Sequence, residues 1–228
     1  MKKQVKQVAV HAKRKKYFVS ITYEEDEKPY VDNGKYQAID LGVANIVTAE
    51  NSAGKFLVIR NQRLGKYWDS RITGLQSRRD RCIEYSNRWK HPDGIMSKYQ
   101  TKCADQTKDF QHKLSKRLVE NTKANTIIVG DLEVKKMAQS TKVPKSMRKG
   151  LNRATQNNGT MGRFEHFLTY KCKRVGKRTI EIDERNSTKE CYICGTIHHM
   201  KLWNRIMDCD CGNVIDRDKN GAINIMKR

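Results

Sequence analysis

The chain has 228 residues, 47 of them Lys or Arg against 25 Asp or Glu, for a formal net charge of +22. Such an excess repels itself unless it lies against a polyanion, so nucleic acid is the expected partner, with a merely solvated lysine-rich surface as the bland alternative. No stretch approaches the roughly 18 apolar residues that cross a bilayer, and the start, Met1-Lys2-Lys3-Gln4-Val5, lacks the apolar run of a signal peptide. Membrane and secreted classes are thereby excluded, and a cytoplasmic location is expected, nucleoid-associated in a prokaryote.

In chain order, residues 5 to 24 alternate as strands do, with Val5, Val8 and Val10 and then Tyr17, Val19 and Ile21 on either side of the basic turn Lys13-Arg14-Lys15-Lys16. A two-stranded ribbon is predicted. The acidic run Glu24-Glu25-Asp26-Glu27 and the loop Asp32-Asn33-Gly34 separate it from residues 36 to 60, where Gly42 and Asn51-Ser52-Ala53-Gly54 mark the turns of three strands. From Leu64 the period changes. Leu64, Trp68, Ile72, Leu75 and Cys82 recur at three and four, and after His91-Pro92-Asp93-Gly94 a second series runs through Tyr99, Cys103, Phe110, Leu114 and Leu118. This predicts a long basic helical hairpin. Its Arg71, Arg78, Arg79, Lys113 and Lys116 are candidates for contacts with a phosphate backbone, equally readable as a solvated face; phosphate contacts position without reading sequence. Residues 125 to 132, centred on Ile127-Ile128-Val129, read as a buried strand, and 135 to 160, rich in Lys, Ser and Gly, as a mobile loop. A helix through Phe164, Phe167, Leu168 and Cys172 should end at Gly176, a strand follows over 179 to 183, and the last residues are helical from about Asp218.

Seven cysteines in a chain expected inside the cell argue for metal rather than disulfides. Cys191-Tyr192-Ile193-Cys194 is followed after fourteen residues by Cys209-Asp210-Cys211, two close thiolate pairs able to complete a tetrahedral zinc site. The second pair has one intervening residue where two are usual. His198 and His199 lie between the pairs as weaker candidates, and Cys82, Cys103 and Cys172 read as small core residues. A site closed by four protein ligands leaves no position for water or substrate, so this zinc would serve folding.

The acids carry the chemistry. Tyr36-Gln37-Ala38-Ile39-Asp40-Leu41-Gly42 sets one carboxylate in an apolar strand, where an unpaired charge is costly and a cation is the usual remedy; capping a turn before Gly42 is the alternative. Near the carboxyl end, Asp216-Arg217-Asp218-Lys219-Asn220-Gly221-Ala222 places two acids at a helix start, where N-capping alone would account for them.

An Asp-Leu-Gly strand, a late cysteine ribbon and Asp-Arg-Asp-x-Asn-Gly-Ala-x-Asn-Ile directly after it together resemble the TnpB (OrfB) family of transposon-encoded, RNA-guided nucleases, relatives of type V CRISPR effectors, over nearly the whole chain. The resemblance implies an α/β, RuvC-like (ribonuclease-H-like) mixed sheet with helices, a helical-hairpin insertion and a zinc-ribbon insertion. It divides the chain into closing strands of an amino-terminal, wedge-like domain (1–30), a nuclease core (35–188) with its hairpin (63–123), a zinc ribbon (189–213) and a last core segment (214–228). It also implies three carboxylates holding two Mg²⁺ or Mn²⁺ ions for cleavage of DNA to 3′-hydroxyl and 5′-phosphate ends. Asp40 matches the first and Asp218 the third, with Asp216 its neighbour. The second is displaced: the family usually has a Glu where this chain has Gly130, in Ile127-Ile128-Val129-Gly130-Asp131-Leu132. Side chains alternate along a strand, so Asp131 and Glu133 face the wrong way to replace it. Glu184, in Ile182-Asp183-Glu184-Arg185, shares a face with Ile180 and Ile182, and some members with Gly-Asp in the second motif carry a Glu there. Glu184 is therefore the expected second ligand, beside Zn²⁺ on Cys191, Cys194, Cys209 and Cys211.

Partners implied by the resemblance are a guide RNA and target DNA. Because most of the family's amino-terminal lobe is absent, a second protein chain or a homodimer could complete the molecule. Two other functions stay open: a nuclease-dead nucleic-acid-binding protein or subunit, if Glu184 does not approach the other acids, and a structural component of a split effector.

Overall fold

A computed structural model of the chain describes residues 4–13, 16–131, 160–201 and 203–228. The tip of the basic turn, nearly all of the expected loop at 135–160, and Glu133 lie outside the described residues. The ribbon forms as expected from β1 (Gln4–Lys13) and β2 (Lys16–Glu24), antiparallel with Val8 opposite Ile21.

Three strands follow: β3 (Tyr36–Asp40), β4 (Asn45–Asn51) and β5 (Phe56–Arg60). With β6 (Thr126–Asp131) and β7 (Arg178–Asp183) they make a mixed five-stranded sheet in the order β5-β4-β3-β6-β7. β3, β6 and β7 run parallel, while β4 is antiparallel to β3 and β5. Parallel strands need crossovers, and helices supply them, covering the sheet as buried parallel strands require.

The helices are α1 (Leu64–Arg79), α2 (Asn87–Asn121), α3 (Thr160–Arg174) and α4 (Arg217–Lys227). One face of the sheet, with Ile39, Val47, Ala49, Ile127 and Val129, packs on Leu114, Leu118 and Val119 of α2 and Phe164, Leu168 and Cys172 of α3. α4 crosses the opposite face against β3, β4 and β6 with Ala222 and Ile225 fully buried. All three parallel strands end at the same edge of the sheet, beneath α4.

The hairpin turns earlier than its hydrophobic series indicates. α2 begins at Asn87 and runs through Pro92, because Ser86 caps it by accepting a hydrogen bond from the Trp89 amide at 3.2 Å. The connection holds Tyr85 at φ 63°, and Cys82 lies within it, half-buried, rather than on a helical core face. Cys103 and Cys172 are buried as expected.

Candidate metal centres

The carboxyl end of β3 delivers Asp40 to the α4 face. Its neighbours in register fix that orientation: Asp40 pairs with Thr48, and Ala38 with Ile128. One step further, Gly130 pairs with Ile182, so Gly130, Ile182 and Glu184 share this face. A Cβ placed on Gly130 would lie 2.5 Å from Glu184 Oε2 and 2.9 Å from Glu184 Cβ. The space a side chain at 130 would fill is thus taken by Glu184, and Glu184 Oε2 is buried without a hydrogen-bond partner among the described residues.

α4 brings the third acid. Asp216 caps it, its Oδ1 accepting from the amides of Asp218 (2.9 Å) and Lys219 (3.1 Å). That separates the two acids: Asp216 is spent on the helix end, whereas Asp218 turns inward and accepts from Asn45 Nδ2 at 2.7 Å and from Arg205. Gly221 lets the helix approach, since a Cβ there would stand 2.8 Å from Asp40 Oδ2. Gly42 permits the turn beside the site, where a Cβ would meet the Asn45 carbonyl oxygen at 2.7 Å.

Electrostatics join the acids. Burial raises Asp40 well above the carboxylate range, and the charges of Glu184 and then Asp218 raise it further against Arg217 and Arg205. Burial also lifts Glu184 to about 7, with Asp131, Asp183 and Glu165 adding to it. Asp40 is 7% exposed, so this excess of negative charge has little water to relieve it. An orphaned carboxylate oxygen and mutually repelling buried acids are a donor set that fits hard divalent cations. The acids are not gathered around a single point. Among the described residues only the four cysteines form a group of three or more whose ligand atoms lie within 4.8 Å of one another, and Asp218 is engaged by Arg205 and Asn45.

The second centre lies in the insertion between β7 and α4. Cys191 Sγ is 3.6 Å from Cys211 Sγ and Cys194 Sγ 3.5 Å from Cys209 Sγ, far beyond a disulfide and near the ~3.8 Å edge of a tetrahedron with zinc–sulfur bonds of about 2.3 Å. β8 (Ile206–Asp208) and β9 (Val214–Asp216) close the second knuckle as a short hairpin. Burial works to raise the Cys191 thiol, but the Cys194 amide, the Asn213 side chain and the Ile193 amide donate to it and bring it down to about 6, the thiolate form that a metal needs. His198 and His199 stay outside the cluster.

Sequence reading overlooked the residues that join the two centres. Fully buried Asn220 donates to the carbonyls of Ser187 (3.1 Å) and Glu190 (2.7 Å) and accepts from the Tyr192 amide (3.1 Å). Asn224, one turn on, donates to the same carbonyls at 2.7 Å. Arg205, just before β8, reaches Asp218. The spacing of Asn220 and Asn224 on one helix was a usable signal; Arg205, one of many basic residues, gave none.

On the hairpin, Arg79 is committed to Asp80 and Asp93 at 2.9 and 3.2 Å, and Lys113 and Lys116 pair with Asp109 and Glu120. Arg71 lies over the Tyr67 ring at 4.2 Å, and Arg78 is exposed.

A mixed sheet with three acids at one edge, crossed by a helix and interrupted by a four-cysteine ribbon, defines a RuvC-like fold. Solved structures share it: a Cas12f1–sgRNA–target DNA complex matches with a TM-score of 0.57 at 16% identity over 96% of this chain and 55% of that one. A CRISPR–Cas12f ternary complex matches at 0.62 and 18%, over 96% and 44%. Residues 20–141 fit the OrfB_IS605 family, described as "Probable transposase", and residues 162–225 fit the "Cas12f1-like, TNB domain". The chain belongs to this OrfB, or TnpB, family. A "Putative RNA-guided DNA endonuclease" of Streptomyces pristinaespiralis is 29% identical over 92% of the chain and 49% of its own length. A TnpB-like protein of Methanocaldococcus jannaschii is 30% identical over 75% and 61%. The chain thus spans about half the length of the first of these relatives.

Proposed function

We propose that the chain is the catalytic part of a metal-dependent DNA endonuclease of the RNA-guided type, with residues 35–188 and 214–228 as its nuclease core and 189–213 as a structural zinc ribbon. The observation that carries this is the placement of Glu184 in the space over Gly130, on the face and at the edge where Asp40 ends its strand. Asp40, Glu184 and Asp218 would hold the Mg²⁺ or Mn²⁺ ions. Those ions would supply an activated water and stabilise the departing 3′ oxygen. Asp40 and Glu184 bring negative charge that burial keeps unscreened, Asn45 and Arg205 orient Asp218 until it is needed, and Asp216 anchors the helix. Cys191, Cys194, Cys209 and Cys211 would bind Zn²⁺ and hold Arg205 at the cleft.

Guide RNA and target DNA are the proposed partners, in keeping with the charge of +22 and with the nucleic acids named for the Cas12f structures. A protein partner is proposed as well, because the β1–β2 ribbon leaves Val10 67%, Val19 62% and Ile21 58% exposed, more than an isolated hairpin supports in water. No described helix is long and apolar enough to cross a membrane. The test is cleavage of single- and double-stranded DNA with Mg²⁺ or Mn²⁺, with and without co-purified RNA. Asp40→Ala and Glu184→Ala should abolish cutting while binding persists, and Asp131→Ala should cut nearly as wild type; metal-independent cutting would overturn the proposal.

A further inference from the structure

A large groove lies away from the acids, on the α2 face of the sheet and at the opposite end of β3. It has a volume of about 990 Å³, between the start of β3, the β4–β5 hairpin and the carboxyl-terminal half of α2, at the upper end of the roughly 300–1,000 Å³ of ligand sites. Its rim carries Lys35, Lys55, Arg60, Arg117 and Lys123, and no Asp or Glu occurs among the described residues that line it. Lys113 also faces it, tied to Asp109. Among the described residues none of those five cations forms an ion pair. Five such cations on one rim, with no acid among them, are an electrostatic mould for a polyanion.

Its floor differs from its rim. Leu57, Ile59 and Phe110 offer apolar surface there, with Leu57 43% exposed on the free edge strand β5. Gln37 reaches the same groove; it is 8% exposed, and its Oε1 accepts no hydrogen bond among the described residues. A buried acceptor without a donor is costly, and a ligand N–H is what would satisfy it. Simple anions would use the cations and leave the floor and Gln37 idle. Duplex nucleic acid would offer phosphates but keep its base faces stacked. A single strand supplies all three at once: phosphates for the rim, a base face for the apolar floor, and a base N–H for Gln37.

We propose that this groove binds single-stranded nucleic acid as a site separate from the acidic cleft. The inference rests on the nucleic-acid reading above but not on catalysis. The test uses the full chain with fluorescent oligothymidylate and oligouridylate, measured by anisotropy across salt, and with 5-bromouracil in the strand for photo-cross-linking. Replacing Lys55, Arg60 and Arg117 together by Glu should weaken binding about tenfold or more and reduce the salt slope by about 2, at roughly 0.7 per phosphate contact on a single strand. Cross-links should map to Tyr36 or Phe110. Gln37→Leu should weaken binding severalfold without lowering the melting temperature or the salt slope. Preference for one of the two oligonucleotides identifies the strand as DNA or RNA.

A matched reversal of Arg88, Lys90 and Lys98, far along α2, controls for net charge. An equal loss in that control, unchanged binding in the groove variant, or equally tight competition by duplex overturns the site. If Asp40→Ala abolishes cleavage while the groove variants bind and cross-link as wild type, the groove proposal fails and the nuclease reading stands.

Discussion

Asn220 makes three hydrogen bonds and is fully buried, so its loss orphans the Tyr192 amide and leaves the Ser187 and Glu190 carbonyls only the donor from Asn224. Asn220→Ala should lower unfolding free energy by about 2–3 kcal/mol, measurable by urea denaturation; a change within a few tenths would show that water replaces the side chain. Glu165 offers a pH test. Burial, and then Glu181 beside it, raise its carboxyl from its ordinary 4.5 to about 7. The folded state therefore holds a proton that the unfolded chain releases earlier, and stability falls as pH rises from about 4.5 to 7. Glu165→Gln should raise the melting temperature at pH 8 and leave it unchanged near pH 4; the opposite order would refute the assignment. Asp40 was legible in sequence because a carboxylate inside an apolar strand calls for a partner, whereas Asp218, at a helix start that capping alone could explain, was legible only through its motif directly after the cysteine ribbon. Capping of the α4 start was legible too, but which acid caps it and the long-range bonds of Asn45 and Arg205 were not, since residues 173 and 13 apart along the chain meet only through the fold.

At the scale of elements, short apolar runs between glycine and asparagine turns indicated every strand of the five-stranded sheet. The hairpin turn was misplaced: the second helical series was begun after His91-Pro92-Asp93-Gly94, but Pro92 falls near the start of α2, where few backbone bonds are lost. Ser86 was the overlooked signal. The ribbon is expected to carry one zinc per chain by elemental analysis. Cys194→Ser should speed hydrogen exchange across 188–214 while β3, β4 and β6 stay protected, since a structural metal chiefly stabilises the module it closes. Global unfolding would show instead that the Asn220 and Asn224 clamp makes ribbon and core one cooperative unit.

For the whole molecule, the charge of +22 predicts steep salt dependence, with log K falling by about 0.9 per phosphate neutralised on duplex DNA; a flat response would remove nucleic acid as the partner. The central claim is that Glu184 stands in for the missing acid at 130, and this can be tested by exchange because the two side chains compete for one space. The most direct measurement is the cleavage rate of Glu184→Ala beside the double variant Gly130→Glu/Glu184→Ala. Glu184→Ala should be as inactive as Asp40→Ala, and the double variant should regain cutting because its carboxylate enters the same cleft from the neighbouring strand. Wild-type cutting by Glu184→Ala, or a parent protein that never cuts under any guide, metal or substrate, would contradict it.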